Sequence, residues 1–211
     1  MDIEQLYRDG YTLLNLPTQY PAAFSALLSS EEWVPDPEGV FSSLPSWAVT
    51  SISPDLHVVE REKIAEAHLQ ESLPAGYRHL FERLAGDQQV FGDLLRISAL
   101  RLTTAHAWDG AEDLTWHWDG YASGQFVLLM YLSRQDDWPV ELGGTLSVGT
   151  RPLTNDLLRV DPESVELLDE FTPQFGRAVL LNNTNPRFVH KASPLRRPVE
   201  RRTIMASLAF G

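Results

Sequence analysis

The sequence contains no cysteine. Disulfide scaffolds, thiolate metal sites and cysteine nucleophiles are thereby excluded, and the composition fits a reducing, cytoplasmic setting. Positive charge is also scarce: 17 Lys and Arg stand against 29 Asp and Glu, a formal net charge of -12. Duplex binding needs a cationic field and an anionic bilayer attracts clustered Lys and Arg, so neither nucleic acid nor a membrane is an expected partner. Long apolar runs are missing too. The longest, Phe126 to Leu132, is too short to cross a bilayer, and the opening MDIEQLYRDGY lacks the basic-then-apolar order of a signal peptide. No internal repeat or low-complexity tract divides the chain.

What is present is a globular composition, 43% apolar and 22% charged over 211 residues, which supports one domain (residues 1–211) with a substantial core. Its character changes near Arg96. Residues 1–95 read as a mainly helical part. Pro21 to Leu28 forms a short amphipathic pattern, and Tyr77, Leu80, Phe81 and Leu84 make one stripe at helical spacing, with Ser72 and Pro74 ahead and Gly86 behind. Between them, Glu31 to Pro54 is rich in Pro, Ser and acidic residues and carries Trp33, Phe41 and Trp47. It reads either as a substrate lid or as a surface loop tacked down by its aromatics.

Residues 96–211 read as strands. The expected strands cover residues 97–103, 115–118, 125–133, 145–148, 177–182 and 202–210, separated by turn-forming clusters such as Asp109-Gly110 and Gly143-Gly144. Short strands at fairly regular spacing predict a mainly β protein, a jelly roll with N-terminal helices. The 125–133 stretch is apolar on both faces, as befits a strand covered by helices on one side and a second sheet on the other.

Within this frame His117-Trp118-Asp119 places an imidazole and a carboxylate at i and i+2, on one side of an extended chain. With 6 His and 14 Asp in the chain, chance alone supplies about 0.4 such pairs, so the pattern needs context. His190, in Arg187-Phe188-Val189-His190, supplies it. Two imidazoles and one carboxylate on one face leave three coordination positions open, which suits a non-haem Fe(II) that must take up two further reactants. The other histidines, His57, His68, His79 and His106, fall in helical or loop contexts and read as surface or structural.

The last strand alternates Arg201, Thr203, Met205 and Ser207 against Arg202, Ile204, Ala206 and Leu208. The second set is apolar after its first residue and can pack on helices. The first is more polar and can line an interior, where Arg201 beside a hydroxyl would clamp a carboxylate. The alternative is an Arg pair that only solvates a strand end.

Taken in order, His117-x-Asp119, Leu129-Met130-Tyr131-Leu132, Glu141-Leu142-Gly143-Gly144-Thr145-Leu146, Phe175-Gly176-Arg177-Ala178-Val179-Leu180-Leu181, His190 and Arg201-x-Thr203 resemble the Fe(II)/2-oxoglutarate-dependent oxygenase superfamily, particularly its prolyl-hydroxylase-like branch. The resemblance covers residues 96–211 and implies a double-stranded β-helix of the cupin-like kind. It implies Fe(II) on His117, Asp119 and His190. It also implies 2-oxoglutarate held through its far carboxylate by Arg201 with Thr203 and Tyr131, and dioxygen as second cosubstrate. The implied outcome is a hydroxylase that oxidises an unactivated C–H bond of a small-molecule or amino-acid-like substrate and releases succinate and CO2. Halogenating members lack the metal carboxylate; Asp119 is present here, matching the hydroxylating kind. Trp108, Trp116 and Trp118 surround the metal pair in sequence and either wall a substrate pocket or pack beneath the loop. A cupin-type metal protein that does not use 2-oxoglutarate, an isomerase or a sensor, stays open. The sequence sets neither the substrate nor the oligomeric state.

Overall fold

The computed structural model describes residues 1–37, 43–50, 71–91, 97–108, 115–120, 125–133, 138–196, 199 and 201–210, with the backbone alone for 97–108 and 209–210. Two antiparallel sheets face each other. The larger contains β1 (Tyr11–Leu14), β2 (Trp33–Pro35), β3 (Ser43–Pro45), β4 (Ile97–Trp108), β5 (Phe126–Tyr131), β8 (Ala178–Asn182) and β10 (Arg201–Phe210), in the order β1-β8-β5-β10-β4-β3-β2. The smaller contains β6 (Leu146–Thr150), β7 (Glu166–Phe171) and β9 (Phe188–Ala192), in the order β7-β6-β9. The helices α1 (Ile3–Asp9), α2 (Gln19–Ser29), α3 (Ala75–Ala85) and α4 (Gln88–Phe91) come from the N-terminal half. This is the expected strand-rich double-stranded β-helix with N-terminal helices.

The period-2 alternation of the strands explains the layering. Phe126, Leu128 and Met130 of β5 and Ile204, Ala206 and Leu208 of β10 face the helices, where Phe24, Leu28, Tyr77, Phe81 and Leu84 complete one core. Val127, Leu129 and Tyr131 point the other way and meet Leu146, Val148 and Phe171 of the small sheet in a second core. β5 is therefore apolar on both faces because both are covered. α3 presents the expected stripe, with Tyr77, Leu80, Phe81 and Leu84 buried. α1 starts on an Asp2 cap that accepts from Gln5 N, and stops at Gly10, whose φ of 83° is open to glycine at low cost.

Three expectations change. The first 95 residues are not only helical: β1 pairs with β8, and β3 joins β2 to β4, so this part completes the large sheet. Residues 115–118 form no strand; a single bridge between His117 and His190 replaces the ladder. β7 and β9 were not expected at all. β7, Glu-Leu-Leu-Asp-Glu-Phe, is exposed at every position but Phe171, so it lacks the apolar alternation that marks a strand. Of the loop aromatics, Trp33 and Trp47 pack against the helical core, with Trp33 Nε1 donating to Leu28 O at 3.2 Å. Phe41 lies outside the described residues. Among the described residues no helix is long and apolar enough to cross a membrane.

Candidate metal centre

His190 sits on β9 directly opposite Val148 of β6. Cross-strand partners share a face, and Val148 belongs to the core between the sheets, so the His190 imidazole points into that space. His117 reaches it through the isolated bridge, in which His117 N donates to His190 O and His190 N donates to His117 O, each at 3.0 Å. The imidazole centroids are thereby set 4.4 Å apart. Asp119, two residues on, closes the group: its Oδ1 is 3.5 Å from His117 Nε2 and 3.5 Å from His190 Nε2. One ligand atom from each residue lies within 4.8 Å of the others.

The protonation states suit a metal. His117 Nδ1 lies 2.8 Å from Thr115 O; a carbonyl can only accept, so Nδ1 carries a proton and Nε2 is the nitrogen left to face Asp119 and a metal. Burial pushes the His190 pKa down to about 4 despite the nearby carboxylate, so its imidazole is neutral near pH 7. Burial alone would also lower the pKa of His117, but its hydrogen bonds to Asp119 and Thr115 outweigh this and raise it. Burial would raise that of Asp119, yet the two imidazoles prevail and hold it below the ordinary carboxylate range. Two imidazole nitrogens and one carboxylate oxygen on one side are the donor set that a facial Fe(II) site requires, and these residues fit it.

The opposing wall comes from the large sheet. Thr203 pairs with Tyr131 across β10 and β5, so both share the inner face with Arg201. Arg201 is 4% exposed and donates from Nη1 to Gly144 O at 2.8 Å. Burial lowers its pKa, with Tyr131 opposing. Tyr131 is itself pushed up to about 12 by burial, against the pull of Arg201 and Arg177, so its hydroxyl remains a donor at neutral pH. Thr203 Oγ1 is buried without a hydrogen-bond partner among the described residues. Arg202 takes the helix side: its guanidinium lies 5.4 Å from the Trp33 ring centroid.

No protein-family model matches this sequence, and no curated protein does. Solved structures do. The prolyl-4-hydroxylase of Pseudomonas putida superposes over 98% of this chain and 95% of its own, with TM-score 0.52 and 16% identity. The chain has the prolyl 4-hydroxylase fold. A prolyl 4-hydroxylase of Phytophthora capsici shares that fold over 99% of this chain and 61% of its own, with TM-score 0.51 and 15% identity. So does the non-haem α-ketoglutarate-dependent epimerase SnoN of nogalamycin biosynthesis, over 97% of this chain and 80% of its own, with TM-score 0.50 and 17% identity. At such identities the hydroxylase fold is what is held in common, and here it carries an oxygenase-like facial triad.

The tryptophans divide. Trp118 is buried and donates from Nε1 to Asn183 O at 3.0 Å. Trp116 lies under Lys191, whose Nζ is 5.2 Å from its centroid. Lys191 is next to His190 on β9 and faces the other way, so Trp116 covers the outer face of the small sheet. The Trp108 side chain lies outside the described residues, although its backbone pairs with Arg201. Of the remaining histidines, His79 is exposed beside Glu82; His57, His68 and the His106 ring lie outside the described residues. Sequence reasoning missed the support around the site. The Gly143-Gly144 turn figures in the sequence as a turn and as part of the family resemblance, without a link to Arg201, yet a Cβ on Gly144 would lie 3.3 Å from Arg201 Cδ and 2.8 Å from Leu195 Cδ2. Asn182 and Asn183, which line a small recess with Asp119 and His190, carried no signal beyond their position after an apolar run.

Proposed function

We propose that this chain is a non-haem Fe(II)/2-oxoglutarate-dependent dioxygenase that hydroxylates an unactivated C–H bond of a small-molecule or amino-acid-like substrate. The observation that carries the proposal is the juxtaposition across the inter-sheet space. His117, Asp119 and His190 converge on one side, and a buried Arg201 with Thr203 and Tyr131 lies on the inner face of the other sheet. Iron with 2-oxoglutarate would supply dioxygen activation coupled to decarboxylation to succinate.

The chain's own residues supply placement. His190 presents a neutral nitrogen, His117 turns Nε2 toward the same point, and Asp119 contributes the charge that favours a divalent ion. Arg201 meets the far carboxylate of the 2-oxo acid in a water-poor site, where a charge-assisted bond is stronger than at the surface. Tyr131 and Thr203 offer hydroxyls to the same carboxylate. Retention of Asp119 leaves the metal its third protein ligand, as hydroxylation requires.

The test is anaerobic titration of the protein with Fe(II) and then 2-oxoglutarate, followed by succinate measurement in air across candidate amines, amino acids and peptides. Binding of 2-oxoglutarate only when Fe(II) is present, with succinate matched at about one to one by a product roughly 16 mass units heavier than its substrate, is the expected result. Iron binding without 2-oxoglutarate binding would favour the cupin-type reading. Succinate release with an isomeric product would place the chain with epimerases such as SnoN.

A further inference from the structure

We propose that Asn183 is a positioning residue of the metal centre, holding the turn that carries Asp119; the inference rests on the metal role assigned above to the triad. Residues 115–120 belong to no strand, and the bridge to β9 fixes His117 alone. Asp119 must be oriented by other means. Both of its chain neighbours are fastened to Asn183. The Trp118 indole donates to Asn183 O at 3.0 Å, and Asn183 Nδ2 donates to Gly120 O at 2.6 Å. Asn183 N in turn donates to Gln125 O at 2.9 Å, tying the arrangement to the start of β5. The residue is 4% exposed and lines the recess that Asp119 and His190 share.

The chemistry explains why an asparagine stands there. Gly120 has φ +80°, a conformation that costs a side-chain-bearing residue but not glycine, and in this turn its carbonyl meets the Asn183 amide. An aspartate would set an acceptor against that carbonyl, and an alanine would offer nothing. Asn183 lies at the end of β8, on the segment that leads directly to β9 and His190. One side chain therefore couples the two stretches of chain that supply the metal ligands. Groups that orient ligands in this way typically change metal affinity 10- to 100-fold when removed.

The experiment uses the full chain stripped of metal, with Co(II) as a spectroscopic stand-in for Fe(II). Affinity and visible absorption bands are measured for the parent, Asn183→Ala and Asn183→Asp, with His190→Ala as the ligand control. Circular dichroism and the melting temperature of the apo forms report folding separately. The expected result is a folded apo protein that binds Co(II) about 10- to 100-fold more weakly with shifted bands, more so for Asn183→Asp. Parental affinity and bands in either folded variant would overturn the proposal while leaving the metal reading intact. If the parent itself binds no Co(II), or His190→Ala binds it equally well, the metal reading falls and this inference falls with it. Should the Asn183 variants fail to fold, Trp118→Phe decides, because it removes the indole donor while keeping an aromatic ring in place; weakened binding with shifted bands in a folded apo form supports the clamp, and unchanged binding overturns it.

Discussion

At Arg201 and Arg202 the β10 backbone sends two identical side chains to opposite faces of one sheet. Arg201 enters the space between the sheets beside Tyr131 and Thr203, and Arg202 lies over Trp33 among the helices. Removing a buried charge-assisted contact to a carboxylate costs about 2–5 kcal/mol, on the order of 30- to several-thousand-fold in affinity. Arg201→Ala should accordingly raise the half-saturating 2-oxoglutarate concentration at least tens-fold. Arg202→Ala should change it by no more than a few-fold and lower stability by about 0.5–1 kcal/mol, the usual worth of an exposed cation–π contact. Saturation curves and urea melts on both variants check this, and a cosubstrate defect confined to Arg202→Ala would remove Arg201 from the role. The strand phase behind this distinction was legible because Ile204, Ala206 and Leu208 mark the helix-facing side. The triad was legible for a similar reason, His117 and Asp119 being two apart. The hydrogen bonds of Trp118 and Asn183 were not, since they join residues distant in sequence through a backbone carbonyl, and any residue can provide one.

Among the elements, β6 shows how a strand hides its own end. The expected strand ends at Val148, but β6 runs through Gly149, a residue type usually depleted in strands, to Thr150. Gly149 stands at a register irregularity with β7, where a Cβ would lie 2.7 Å from Glu166 O, 2.8 Å from Val165 Cγ1 and 3.3 Å from Trp116 Cη2. The residue is glycine because a neighbouring backbone and an indole press on it. Gly149→Ala should force β7 or Trp116 outward and destabilise the protein by about 1–3 kcal/mol. Since Val148 faces His190, metal affinity should fall with it. Thermal melts and Co(II) titration of the variant are the checks, and parental values in both would show that the strand yields without cost. β7 itself stayed illegible for the opposite reason: its partner β6 covers one edge and Phe171 alone of its residues is buried, so burial left no periodic trace.

On the scale of the whole molecule, the two walls of the site belong to different sheets. His190 rides on the small one, Arg201 and Tyr131 on the large one. A metal and a 2-oxo acid bound between them would tie the sheets together, so ligands should stabilise the folded state through mass action. At about 100 times the dissociation constant the gain is roughly 2.7 kcal/mol, which for a chain of this size corresponds to about 5–10 °C in melting temperature. Anaerobic Fe(II) plus 2-oxoglutarate should produce that shift in the parent, and His190→Ala should lose most of it. An equal shift in both would point to iron bound elsewhere. The two-sheet architecture was legible from strand spacing and from a β5 apolar on both faces. The share of the N-terminal half in the large sheet was not, because β1, β2 and β3 are three or four residues long, too short for a periodic pattern, and β1 finds its partner β8 much later in the chain.

The bridge between His117 and His190 bears on the order in which the molecule comes into being. Four strands, β5 to β8, separate the two histidines, and Arg201 follows on the last strand. During synthesis the first two ligands leave the ribosome long before the third, and closing so wide a loop carries an entropic cost that local contacts cannot offset. A nascent chain thus holds a His-x-Asp fragment with too few donors to retain a redox-active ion. The complete site, with the clamp for its oxidisable cosubstrate, assembles only after the sheets that shield it have formed.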